Sequence, residues 1–248
     1  LNRVIEQAYT VFGHYQLASP LNVCHCNVCL DEEEARELLR SPLRSIPSRL
    51  LGAYTDSVSA GYDASRQDEL RHFLPRYFEL IAANDPPDPM GLEICLRRLR
   101  EFEWRQSWPK AEVETIDAFF DAYVAAAVQN IALWTAPSLT LRLDFTEVLT
   151  MIVTARGDIA RVLQVWDNAP DPFAIIHMAA LRGSVVPDPV RLADAHLSEE
   201  FDAEAQCIGA FLVRPEIDAR LEAAFFNLPA PRYQKTLSDA DCTLPFPR

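Results

Sequence analysis

In the stretch KAEVETIDAFFDAYVAAAVQNIALW, apolar residues recur at steps of three and four: Val113, Ile116, Phe120, Tyr123, Ala127, Ile131 and Trp134. That stripe predicts about seven turns of helix with one face buried. Pro109 suits the first turn, where a missing N–H goes unnoticed, and Pro137 lies just past the end. The same period returns in three shorter pieces, DFTEVLTMIVTARG, DIARVLQVWD and DPFAIIHMAALRG. Asp144 and Glu147 stand at capping-box spacing, Asp158 is placed to cap, and Gly157 and Gly183 are placed to close helices. Starts near 144, 158 and 172 predict short antiparallel helices joined by tight turns. SEEFDAEAQCIGAFLVR and PEIDARLEAAFFN predict two more, and the N-terminal half predicts helices near 2–18, 31–40, 47–60, 66–83 and 90–103.

Strand-like alternation is best in PSLTLRL (137–143), and one isolated strand cannot make a sheet. The pattern therefore predicts an all-α protein of about ten helices, as an irregular helical bundle or a HEAT-like α–α superhelix. One domain over 1–248 is expected, with a candidate sub-boundary in the proline-rich gap NDPPDPMG (84–91). The prolines at 229, 231, 245 and 247 predict an extended C-terminal tail over 229–248.

Charge narrows the function classes. With 23 basic and 36 acidic residues the chain carries a formal charge of −13, which disfavours nucleic-acid phosphates and anionic membrane surfaces and favours a basic protein partner. No apolar run approaches the ~20 residues that span a bilayer. The opening LNRVIEQAYTVF lacks a basic segment followed by an apolar one, so no signal peptide is expected, and a cytoplasmic setting with reduced thiols is the default. Only seven glycines occur, and neither phosphate-cradling glycine loops nor G-x-S-x-G nor H-E-x-x-H is found. No spacing singles out a catalytic residue or a cofactor site. The expectation is a non-enzymatic protein, with an active site assembled from distant residues left open.

Candidate chemistry concentrates in SPLNVCHCNVCLDEEE (19–34), where Cys24, Cys26 and Cys29 surround His25. Three readings of it stand side by side. Zinc takes four tetrahedral ligands, so these three thiolates supply three-quarters of a structural or sensory site, completed by His14, His25 or a distant residue. A redox thiol is suggested because Cys29 precedes a helix start, which lowers a thiol pKa; the acids at 31–34 oppose this. The simplest reading is a helix-capping pair, Asp31 and Glu34, with unligated thiols packed on the turn.

A second feature is DELRHFLPRYFEL (68–80), whose apolar residues Leu70, Phe73, Leu74, Tyr77, Phe78 and Ile81 keep helical spacing across Pro75. Proline removes a backbone donor and clashes with the carbonyl four residues back, so a kink is expected. Arg71, His72 and Arg76 beside it form either a recognition patch or a set of cations paired with neighbouring acids. His177, Cys95 and Cys207 lie in apolar segments and are expected in the core, the histidine hydrogen-bonded. Trp104 and Trp108 either line a groove or clamp a helix corner.

The Cys cluster at 24–29, SPLRSIPSRLLGAYTDSV (41–58) and LRHFLPRYFELI (70–81) together resemble a group of uncharacterised bacterial proteins with a Cys-rich segment ahead of an RHFLPR helix. The resemblance covers about the first third of the chain and implies no catalytic residue. Members commonly carry tryptophan ahead of the RHFLPR stretch, and SVSAGYDASRQDE has none. Architecture and charge together lead to a helical protein–protein interaction scaffold for a basic partner, with a zinc-binding protein as the alternative.

Overall fold

The computed structural model describes residues 1–24, 29–57, 64–88, 90–129, 144–170 and 173–227. Among them it is all-α: α1 (Asn2–Val11), α2 (Glu32–Arg40), α3 (Ser48–Asp56), α4 (Ala64–Ala82), α5 (Trp104–Ser107), α6 (Lys110–Val128), α7 (Phe145–Thr154), α8 (Ile159–Asp167), α9 (Phe173–Arg182), α10 (Asp202–Leu212) and α11 (Pro215–Asn227), with short 3-10 turns between some of them. A small hairpin, β1 (Val185–Pro187) and β2 (Val190–Leu192), pairs antiparallel with Val185 opposite Leu192. The expected strand at 137–143, the far end of the predicted long helix and the tail over 229–248 lie outside the described residues.

Local chemistry sets most helix boundaries. The Asp31 carboxylate accepts from the N–H groups of Glu33 and Glu34, both at 2.8 Å, while Glu34 reaches back to the Asp31 N–H. That reciprocal pair is the anticipated capping box, and it starts α2. Asp158 caps α8 by accepting from the Arg161 N–H. At the end of α4, Asn84 adopts φ 59°, and the Asp85 N–H returns 3.0 Å to the Leu80 carbonyl. Asparagine tolerates the left-handed region better than most residues, so this is an ordinary helix stop that turns the chain into Pro86–Asp88. The α7 terminus corrects one expectation. Arg156, at φ 61°, takes the left-handed position, while Gly157 donates to the Ile152 carbonyl at 2.8 Å.

Two further expectations are corrected. The first helix stops at Val11, not near 18. The segment 90–103 forms two 3-10 turns, Leu92–Ile94 and Arg97–Glu101, in place of one helix. Long-range demands on its arginines explain the second: Arg97 reaches Asp56 and Asp88, and Arg98 bonds the carbonyls of Thr55 and Ser57.

Contacts group the chain into two compact units, Leu1–Ala122 with Thr154–Arg156, and Tyr123–Val153 with Gly157–Arg248. The proline-rich gap at 84–91 falls inside the first. There, α4 buries Leu70, Phe73, Leu74, Tyr77, Phe78 and Ile81, the whole predicted stripe, and runs unbroken through Pro75. Phe78 stacks on Phe119 of α6 with ring centroids 3.9 Å apart. Trp104 is buried and donates from Nε1 to the Ala155 carbonyl at 2.9 Å, and Trp108 donates to Gln67 at 3.1 Å. These tryptophans clamp a helix corner.

In the second unit, Ile159, Val162, Leu163 and Trp166 form the buried face of α8, as the spacing predicts. Trp166 packs on Phe145 at 4.3 Å and on Phe211 at 5.6 Å. Helix α10 crosses the hairpin at Gly209, where an added Cβ would lie 2.6 Å from the Arg191 Cα.

Candidate functional site

A concavity lies in the first unit, beside the Cys segment. It is an open cleft of about 540 Å³ lined by Cys29, Leu30, Glu34, Ser48, Arg49, Ala53, Asp56, Pro86 and Asp88. Three stretches build it. The entry to α2 supplies Cys29, Leu30 and Glu34. This entry is pinned because Ser57 Oγ accepts the Leu30 N–H at 2.8 Å and donates to the Ala53 carbonyl at 2.8 Å. One face of α3 supplies Ser48, Arg49, Ala53 and Asp56. The turn after Asn84 supplies Pro86 and Asp88, and it touches α3 at Gly52, where a Cβ would meet the Pro87 carbonyl at 3.3 Å. A side chain at position 52 would require the Pro87 backbone to give by a few tenths of an ångström.

Electrostatically the cleft is acidic with internal compensation. The Asp88 side chain is fully buried; it accepts the Met90 N–H at 2.8 Å and sits 3.3 Å from Arg97, which also binds Asp56 at 2.8 Å. Burial pushes the Asp88 carboxyl above its ordinary value, opposed by the Met90 N–H and Arg97 and helped by the charges of Asp56 and Glu93. Beneath it, the Cys95 thiol donates to the Gly91 carbonyl at 3.3 Å, and burial together with Asp88 and Glu93 pushes its pKa up. Cys95 is therefore an inert core thiol. Arg49 lies 3.7 Å from Glu37 on the rim. The arrangement holds the Arg97 guanidinium between the Asp56 and Asp88 carboxylates.

The sequence-derived residues distribute as follows. Cys24 and Cys29 are half-buried, and Cys29 lines the cleft; Cys26 and His25 lie outside the described residues. His14 is exposed and bonds the Val11 carbonyl at 3.0 Å, and no group of three His, Cys, Asp or Glu side chains suited to a metal is found among the described residues. Arg71 is 3.0 Å from Asp68 and 3.1 Å from Glu112, with its guanidinium over the Trp108 ring at 4.3 Å. His72 bonds the Tyr15 carbonyl at 2.8 Å. Arg76 donates to the Ile46 carbonyl at 2.8 Å and to Glu79 at 2.5 Å. All three thus have intramolecular partners. Glu79 also accepts from Tyr9 at 2.7 Å, and Tyr15 donates to Glu112 at 2.6 Å. Burial and that bond push the Tyr15 hydroxyl up to about 12.

No family model, curated protein or solved structure matches this chain. Of the cleft's other lining residues, Ser48, Asp56 and Asp88 went unnoticed in the sequence because they come from two separate stretches, α3 and the turn after α4. Their one local signal was the turn chemistry of NDPPD after α4. Cys207 is half-buried in α10. Among the described residues no helix is long and apolar enough to cross a membrane.

Proposed function

We propose that this chain is a non-enzymatic helical interaction protein that takes a basic partner, with the cleft between α2 and α3 receiving a lysine or arginine side chain. One observation carries the reading: Asp56 and Asp88 both line one open cleft, the Asp56 side chain partly exposed and the Asp88 side chain buried, in a chain of net charge −13. A partly desolvated carboxylate pair attracts a guanidinium or ammonium more strongly than exposed acids do, because water screens it less. Affinity purification from the native host at a series of salt concentrations tests it. A basic partner recovered at low salt and lost at high salt is expected. Asp56→Asn is expected to weaken that recovery by roughly tenfold, about 1.4 kcal/mol. Failure to recover any basic protein at low salt overturns the reading.

The alternative is zinc at Cys24, Cys26 and Cys29, favoured by the position of Cys29 on the cleft wall beside Glu34. Elemental analysis of protein purified without added metal separates the two. Less than about a tenth of a zinc per chain, with all thiols titratable, rejects the metal, since thiolate sites of this kind bind tightly at neutral pH.

A further inference from the structure

Helix α9 carries a residue at odds with its surroundings. His177 is fully buried, and neither ring nitrogen has a hydrogen bond of good geometry among the described residues. Its ring lies 4.9 Å from Phe145, which packs on Trp166, whose own Nε1 is committed to the Ala174 carbonyl at 3.2 Å. The neighbours along α9 (Ile175, Ile176, Met178 and Ala179) are all buried and apolar. An imidazole in such a place is tolerated while neutral. An imidazolium there needs solvent or a counter-charge, and a buried unpaired charge is among the most costly features a core can hold.

The surrounding elements supply little relief. Their charged groups include Asp144 and Glu147 at the start of α7, Arg161 and Asp167 on α8, Asp202 and Glu204 on α10, and Asp218 and Arg220 on α11. Asp167 is tied to Arg214 and Arg220, Asp202 to Arg191, and Asp218 to Arg182. The Val128 backbone is the larger favourable influence on the ring, and the charge of Asp144, exposed at the α7 start, is the smaller; burial outweighs both.

We propose that His177 is an acid-sensitive latch: its protonation drives a charge into the aromatic core of the second unit and loosens α9 before the first unit responds. The sign follows from burial, which pushes the imidazole from 6.5 down to about 4. Between those values the unfolded chain binds the proton that the folded one refuses, so stability is full above about pH 6.5 and falls as pH drops toward 4. In the first unit the buried Asp88 responds oppositely, since a raised carboxyl pKa means acid relieves it.

Amide hydrogen exchange on the full chain between pH 7 and 4, corrected for intrinsic rates, tests the latch. Amides of α9 are expected to lose protection at a higher pH than those of α4, and His177→Leu is expected to abolish that lead. Simultaneous loss in both units, or a variant that keeps the wild-type lead, overturns the proposal. Should His177→Leu fail to fold, the NMR titration of the His177 ring in the unaltered chain decides. A midpoint about two units below the ordinary histidine value supports the latch, and an ordinary midpoint overturns it.

Discussion

Glu79 shows how much of this protein's polar chemistry is settled between residues far apart in sequence. It gathers Tyr9, Arg44 and Arg76, and burial alone would raise its carboxyl. The Tyr9 hydroxyl and the two arginines outweigh burial and leave it below the ordinary value. A carboxylate held low in the folded state contributes stability that is present above its unfolded value of 4.5 and is lost as pH falls through the folded one. Glu79→Gln is therefore expected to cost about 1 kcal/mol at neutral pH, a modest figure because the site is partly solvated. It should also flatten the stability profile below pH 4.5. Urea midpoints measured from pH 7 to 3 check both. Only its i,i+3 spacing from Arg76 was local; its Tyr9 partner lies 70 positions away and Arg44 35. The Arg71–His72–Arg76 cluster was visible for its charge and its proline, and pairing with neighbouring acids was one of its two readings; Asp68 and Glu79 are such neighbours, whereas Glu112 and the Tyr15 and Ile46 carbonyls lie far off in sequence. His177 was rightly placed in the core, yet hydrophobic spacing carries no information on whether ring nitrogens find partners there.

At the scale of elements, legibility follows the range of the forces involved. The α2 capping box, the α8 cap and the α4 and α8 stripes depend on neighbours within four residues, so they could be read directly. The 3-10 turns around 92–101 and the hairpin at 185–192 could not. The first bend to distant carbonyls and carboxylates. The second is two strands of three residues each, too short for alternation to register. Yet that hairpin is held closely, since α10 passes against Arg191 with room only for glycine at 209. Gly209→Ala sets two effects against each other. Alanine gains about 1 kcal/mol of helix propensity. Its Cβ would press on strand backbone, which cannot swing away as a side chain can, and overpacking of this kind costs about 1–3 kcal/mol. The steric loss should win. A lowered unfolding midpoint by circular dichroism is the expected result, and an unchanged or raised one would show that β2 slides freely.

At the scale of the molecule, composition and period were enough for an all-α chain with buried apolar stripes. The cleft was out of reach because concavity is a property of how α2, α3 and the turn after α4 meet, and its walls carried only local signals: Cys29 in the Cys segment, Glu34 in the capping pair and the turn after α4. Its floor also explains why the 92–101 region is irregular. The guanidinium of Arg97 has to sit across Asp56 and Asp88, and a regular helix there would carry it away.

That guanidinium has a consequence for selectivity. In the proposed reading, Arg97 is an internal competitor already resident on the two carboxylates, so an incoming cation gains only the difference between its own fit and that of Arg97. Simple salts gain nothing by exchange, whereas a planar forked group matching both acids displaces it on equal terms. Arg97→Gln should then bind an oligoarginine peptide several-fold more tightly while losing its preference over oligolysine, measured by titration calorimetry. The chain's own arginine would be the device that makes a strongly acidic protein discriminating instead of merely sticky.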